Sequence, residues 1–155
     1  MSVAKERAQY VLITQMEMDK TLLGKGFEIQ ECHKSQELIY DRPFEKFDAL
    51  VVRVFSSINQ NNGLGRDNGQ DAIRICLFDT RIDKILGLAT RVNRTVGWEC
   101  RLLTRAREMY LAAKDLRLCG KCRTYYMVVR TNKSTKKDFY SCSGYPHCSF
   151  TCEIH

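Results

Sequence analysis

Long apolar runs, proline and catalytic signatures are what this sequence has least of. No apolar stretch approaches the roughly 18–20 residues a helix needs to span a bilayer, so no membrane partner is expected. The opening Met1-Ser2-Val3-Ala4-Lys5-Glu6-Arg7 lacks the apolar core of a secretory signal, which makes a cytoplasmic location the expectation. Only two prolines occur in 155 residues, of which 44% are hydrophobic and 28% charged. That balance belongs to a globular chain. The run Gly63-Leu64-Gly65-Arg66 lacks the Gly-Lys-Ser/Thr ending of a phosphate-binding loop, and no helical pattern follows it. Asp41, Glu45, Asp48, Asp67, Asp71 and Asp79 show no spacing that marks a nuclease. A binding role is therefore expected ahead of an enzymatic one.

Basic charge and cysteine are what the chain does have. The formal charge is +7, and residues 116–155 carry seven basic and two acidic side chains, so +5 sits in the last quarter. Such concentration points to a polyanionic partner. Eight cysteines in a cytosolic chain should be mostly reduced, and Cys-x-x-Cys spacing there more often means metal than disulfide. The length allows one ordinary domain plus a small appendage. The split is placed at 1–115 and 116–155.

For residues 1–115 the pattern predicts an α+β fold: an antiparallel β-meander flanked by an N-terminal and a C-terminal helix. Ser2 to Leu23 reads as the first helix, weakened by the β-branched run Val11 to Thr14 and stopped at Gly24 or Gly26. Phe27–Glu31 and Glu37–Tyr40 read as a short pair of strands, broken after Tyr40 by Asp41-Arg42-Pro43. Ala49–Ile58, Asp71–Asp79 and Lys84–Thr95 read as three stronger strands. The Gly/Asn-rich loop 59–70 joins the first two and reads as a flexible hairpin tip; in the alternative, a tip that embraces DNA, Asn61, Asn62 and Arg66 are its candidate phosphate contacts. Val96–Lys114 carries the second helix, with Trp98, Leu102, Ala106, Met109 and Ala113 on a core stripe.

Alternation along the strands divides the sheet into two faces. Val52, Val54, Ile58, Ile73, Ile75, Leu77, Leu86, Leu88 and Val92 fall on one. Arg53, Phe55, Arg74, Cys76, Phe78, Arg91 and Asn93 fall on the other. Arg53, Arg74 and Arg91 admit two readings: arginines paired with acids on neighbouring strands, or a basic platform for a nucleic-acid backbone.

Residues 118–151 read L-CGKC-RTYYMVVRTNKSTKKDFY-SCSGYPHC-SFT. Cys119, Cys122, Cys142 and Cys148 can meet around one tetrahedral Zn²⁺; the alternatives are two disulfides or buried thiols. Tyr125–Thr131 and Lys137–Ser141 predict a hairpin around Asn132–Thr135. Gly144 and Pro146 shape the second cysteine turn. So small a module buries little apolar surface, and the metal should supply much of its stability. Cys152, four residues past Cys148, is an alternative ligand, and His147 and His155 are further ones. Cys32, Cys76 and Cys100 have no partner spacing.

Over about 34 residues this segment resembles the four-cysteine zinc ribbons at the C-terminus of bacterial type IA DNA topoisomerases. The resemblance rests on C-G-K-C, the basic hairpin, and F-Y-x-C-S-x-Y-P-x-C-x-x-T from Phe139 to Thr151. It implies that the four cysteines bind zinc and that the ribbon binds DNA, largely single-stranded. By position, Tyr125, Phe139, Tyr140 and Tyr145 become candidates for stacking on bases. Arg123, Arg130, Lys133, Lys136 and Lys137 become candidates for phosphate contact. The remaining chain is too short to hold a topoisomerase body, so the resemblance implies binding and not strand passage.

The expectation is a single-stranded DNA-binding protein of replication, recombination or repair, nucleoid-associated if bacterial or phage. Its sheet domain would supply oligomerisation, as a homo-oligomer, or a second basic surface. Two other classes stay open: a small metal-dependent nuclease, and a zinc-ribbon factor that binds a replication or transcription protein.

Overall fold

In the computed structural model the described residues are 11, 13–30, 37–44, 47, 49–57, 63–64 and 73–154. Strand β1 (Ile13–Thr14) leads directly into helix α1 (Gln15–Leu23). Thr14 is both the end of that strand and the helix cap. Its hydroxyl accepts from the Glu17 N–H at 3.2 Å while the Glu17 carboxylate accepts from the Thr14 N–H at 3.3 Å, satisfying two of the helix's free donors. The expected helix from Ser2 is thus corrected at its start: Ile13–Thr14 are extended and pair with Gly63–Leu64. The β-branched run decides against helix there. Residues 1–10 and 12 lie outside the described residues.

Strands β2 (Glu28–Gln30), β3 (Glu37–Pro43), β4 (Leu50–Ser57), β5 (Gly63–Leu64), β6 (Ile73–Asp79) and β7 (Lys84–Val92) follow. The main sheet has the order β2-β3-β4-β6-β7, antiparallel throughout. This is the expected α+β meander. The predicted break at Asp41-Arg42-Pro43 does not occur, because β3 continues to Pro43, opposite Val51. The next N–H, of Phe44, points toward β4 and donates to the Leu50 carbonyl at 3.2 Å. The Pro43 nitrogen therefore faces the other side, where β2 has ended, and its missing donor costs the ladder nothing.

Helix α2 (Trp98–Ala113) starts after Gly97, whose φ of 84° is in the left-handed region. It lies on the sheet face formed by Val52, Val54, Ile73, Ile75, Leu86 and Val92, and α1 closes the same core with Met18 and Leu22. Trp98, Leu102, Ala106 and Ala113 are buried there, as the stripe predicts. Tyr40 is buried in this core, and its hydroxyl donates to Asp19 at 2.5 Å. Burial foremost, then that carboxylate, raises its phenol far above the ordinary range.

The opposite face carries a second cluster of Val51, Cys76 and Phe78 with Phe55 against it. The predicted division of faces holds for Phe55, Cys76 and Phe78; Ile58 and the Leu88 side chain lie outside what is described.

Three short strands complete the chain: β8 (Met127–Thr131), β9 (Asp138–Cys142) and β10 (Thr151–Glu153), in the order β10-β9-β8. The hairpin is as expected, whereas β10 carries no alternating pattern long enough to read. No helix among the described residues is long and apolar enough to cross a membrane.

Candidate metal centre

The two cysteine turns are built by their own backbones. In the first, the Arg123 N–H donates to the Cys119 carbonyl at 2.9 Å and the Cys119 N–H to the Tyr125 carbonyl at 2.7 Å. Arg123 takes a φ of 54° to close that turn. In the second, the His147 N–H reaches the Gly144 carbonyl at 2.9 Å, and the Gly144 N–H points at the Cys142 sulfur at 3.4 Å. The two turns are stitched together by Ser143 N–H to Tyr126 carbonyl at 2.8 Å, and by Tyr126 N–H to Ser143 hydroxyl at 3.0 Å.

These turns bring the sulfurs of Cys119, Cys122, Cys142 and Cys148 within 4.8 Å of one another. The Cys119–Cys148 and Cys122–Cys142 separations are 3.8 and 3.7 Å. A disulfide needs about 2.0 Å, so these are four thiols. Metal–sulfur bonds of about 2.3 Å in a tetrahedron give edges of about 3.8 Å, which these two separations match. Four protein ligands leave no open coordination position, and three of the four cysteines are buried. An ion held by all four would have no place for a water, the arrangement that structural sites use.

The electrostatics favour a cation. Backbone N–H groups of Tyr125 and then Thr124 lower the Cys122 thiol to about 6. Burial, and proton sharing with the other three thiols, pushes Cys142 up to about 12 despite the Gly144 N–H. Once one thiolate forms, the next is opposed by like charge in a dry site, and a bound cation removes that opposition. Cys152 is exposed on β10, outside the cluster. It does not replace Cys148.

The ribbon is fixed to the main sheet through contacts that the pattern of the sequence did not reveal. Asp79, fully buried at the end of β6, accepts two bonds from the Arg81 guanidinium at 3.2 and 3.0 Å. That guanidinium lies 5.3 Å from the Tyr126 ring centre and 5.9 Å from that of Tyr125. Lys84 Nζ donates to the Tyr145 carbonyl at 3.1 Å. Tyr126 is 4% exposed and belongs to the main core, edge-on to Phe47.

The other predicted site residues are dispersed. Arg123, Arg130, Lys133, Lys136 and Lys137 are exposed, the last three around the hairpin tip. Phe139 and Tyr140 alternate, so they face opposite sides of β9; Phe139 pairs with Arg130, and Tyr140 with Val129 and Cys152. Tyr145 is 56% exposed on the second cysteine turn. Tyr125 is half-buried against Gly144 and Arg81.

On the sheet, Arg53 forms two bonds to Asp41 at 2.8 and 2.9 Å and stacks 3.6 Å from the Phe78 ring centre. There the acid-paired reading applies. Arg74 and Arg91 stand directly opposite each other on β6 and β7, and neither has an acidic partner among the described residues. In loop 59–70 only Gly63–Leu64 are described, paired to β1. Asn61, Asn62, Arg66, Cys32 and His155 lie outside the described residues.

What this defines is an α+β chain with four cysteines close enough together to hold a metal ion. No family model, curated protein or solved structure matches it.

Proposed function

We propose that the chain binds single-stranded nucleic acid, with DNA preferred, and that its four cysteines hold one structural Zn²⁺. The observation that carries this reading is the four-thiol cluster at the root of a basic, aromatic hairpin. Tetrahedral all-sulfur sites select zinc or iron, and the likeness to zinc ribbons favours zinc. Around it, Arg123, Arg130, Lys133, Lys136 and Lys137 are exposed cations, and Tyr140 and Tyr145 are exposed rings. Cations for phosphates and rings for bases are what sequence-tolerant single-strand binding requires. The likeness of residues 118–151 to topoisomerase ribbons supports the same partner, in replication, recombination or repair.

Of the carboxylates a nuclease could use, Glu45, Asp48, Asp67 and Asp71 lie outside the described residues. Asp41 is engaged by Arg53 and Asp79 by Arg81. A protein-binding role draws support from one feature: exposed Leu118, Val129 and Tyr140 line an open cleft of about 780 Å³ between the ribbon and the sheet.

The test is elemental analysis together with anisotropy titrations on single- and double-stranded oligonucleotides. One zinc per chain and tighter single-strand binding are expected. Iron in the cluster, or an equal affinity for duplex, would overturn the reading.

A further inference from the structure

Helix α2 presents Arg101, Thr104, Arg105 and Glu108 at spacings of three and four, so they form one stripe. The stripe faces the end of the edge strand β7, and between them lies a cleft of about 400 Å³ also lined by Arg91 and Asn93. Three of its side chains are cationic, and Glu108, bound to Arg105 at 3.0 Å, is the one acid. Arg101 donates to the carbonyls of Val96, Asn93 and Thr95 at 3.0, 3.2 and 3.3 Å, and to the Thr95 hydroxyl. These acceptors are neutral, so its charge stays uncompensated while it holds Asn93 beside the helix.

The same strand and helix line the cleft at the ribbon: Leu86 and Gly87 of β7, and Ala112 near the end of α2, meet Val129, Tyr140 and Phe150 there. Five residues of extended chain separate Leu86 from Arg91, about 17 Å along the strand. One end of this edge is apolar and aromatic, suited to bases, and the other is cationic, suited to phosphate.

We propose that the cleft between β7 and α2 is a second anion site, which takes a backbone phosphate of the same single strand held at the ribbon. The assignment rests on the nucleic-acid reading above. It adds Arg105, with Arg91, as direct phosphate contacts, and gives Arg101 a positioning role.

The test uses the full, metal-loaded chain and oligo(dT) of roughly 2 nucleotides, too short to span both clefts, and roughly 20 nucleotides, in wild type and in the Arg91→Ala/Arg105→Ala double variant. Each single-strand phosphate contact contributes about 0.7 to the slope of log K against log salt. The variant should lower that slope by about 1.4 for the long oligonucleotide and leave the short one unchanged. Arg91→Lys/Arg105→Lys should restore most of the loss. Glu108→Gln, which removes the acid, should tighten long-oligonucleotide binding several-fold.

An unchanged slope in the double variant, with wild type binding normally, would overturn the second site and leave the ribbon reading intact. So would equal losses for both lengths, or an arginine dependence seen with pyrophosphate or oligoglutamate but not with oligo(dT). No binding of either oligonucleotide by wild type would sink the ribbon reading itself.

Discussion

The ring of Tyr125 occupies the space that a side chain on Gly144 would need. A Cβ built on Gly144 would fall 2.1 Å from Cδ2 of Tyr125, a separation no pair of carbons tolerates. Both residues lie next to cysteines of the cluster in space, so this packing sets how the two cysteine turns approach each other. Gly144→Ala should force the ring out and weaken metal affinity by about 10–100-fold, the usual cost of disturbing the groups that orient metal ligands. Competition against a chromophoric chelator measures it, and Tyr125→Ala in the same chain should recover most of the loss. A Gly144→Ala protein with unaltered affinity would show that this contact does not shape the site.

Arg81 joins the ribbon to the sheet. Removing it leaves the buried Asp79 carboxylate without its charge partner, which for fully buried pairs costs about 3–5 kcal/mol. The Arg81 side chain is 38% exposed, so water compensates in part and about 2 kcal/mol is the expected loss for Arg81→Ala. Denaturant titration reads it. Asp79→Asn/Arg81→Ala should be milder than Arg81→Ala alone, since no charge is then stranded.

Cys76 supplies a pH dependence. Burial chiefly raises its thiol from 9.0 to about 12, partly offset by Arg53. An acid whose folded value is raised favours folding below its unfolded value, and that contribution is lost as pH climbs. Stability should therefore fall between pH 9 and about 12, and Cys76→Ala should flatten that stretch of the curve. Mass spectrometry after alkylation of the metal-loaded protein at pH 8 should find Cys100 and Cys152 modified, both being exposed, and Cys76 untouched.

Metal removal should reach beyond the ribbon. Tyr126 sits in the main core, edge-on to Phe47, between Cys122 and the strand β8. Metal at 1,000 times its dissociation constant stabilises by about 4 kcal/mol. Chelation should lower the melting temperature of the whole chain and increase hydrogen exchange at Leu118 and Tyr126. Melting of the sheet at an unaltered temperature would mean the two parts are energetically independent.

The elements readable in the sequence were those with local causes. Cysteine spacing located the cluster, period-two alternation located β4, β6 and β7, and the Trp98–Ala113 stripe located α2. Where local signals competed, long-range pairing decided: Pro43 stays in β3 because β2 is short, and Ile13–Thr14 pair with residues about fifty positions away. The Arg53–Asp41 pair was foreseeable as a class of contact but not at that position. The Arg81 bridge and the burial of Tyr126 depend on how ribbon and sheet meet, and a single sequence carries no period for such contacts.

The central claim is tested most directly by one titration series. Metal-loaded and chelator-stripped protein are each added to labelled oligo(dT) and to a duplex of equal length, over a range of salt. The loaded protein should prefer the single strand, with affinity falling steeply as salt rises, and the stripped protein should lose most of that binding. Equal affinity for duplex, or binding that survives metal removal unchanged, would contradict the account.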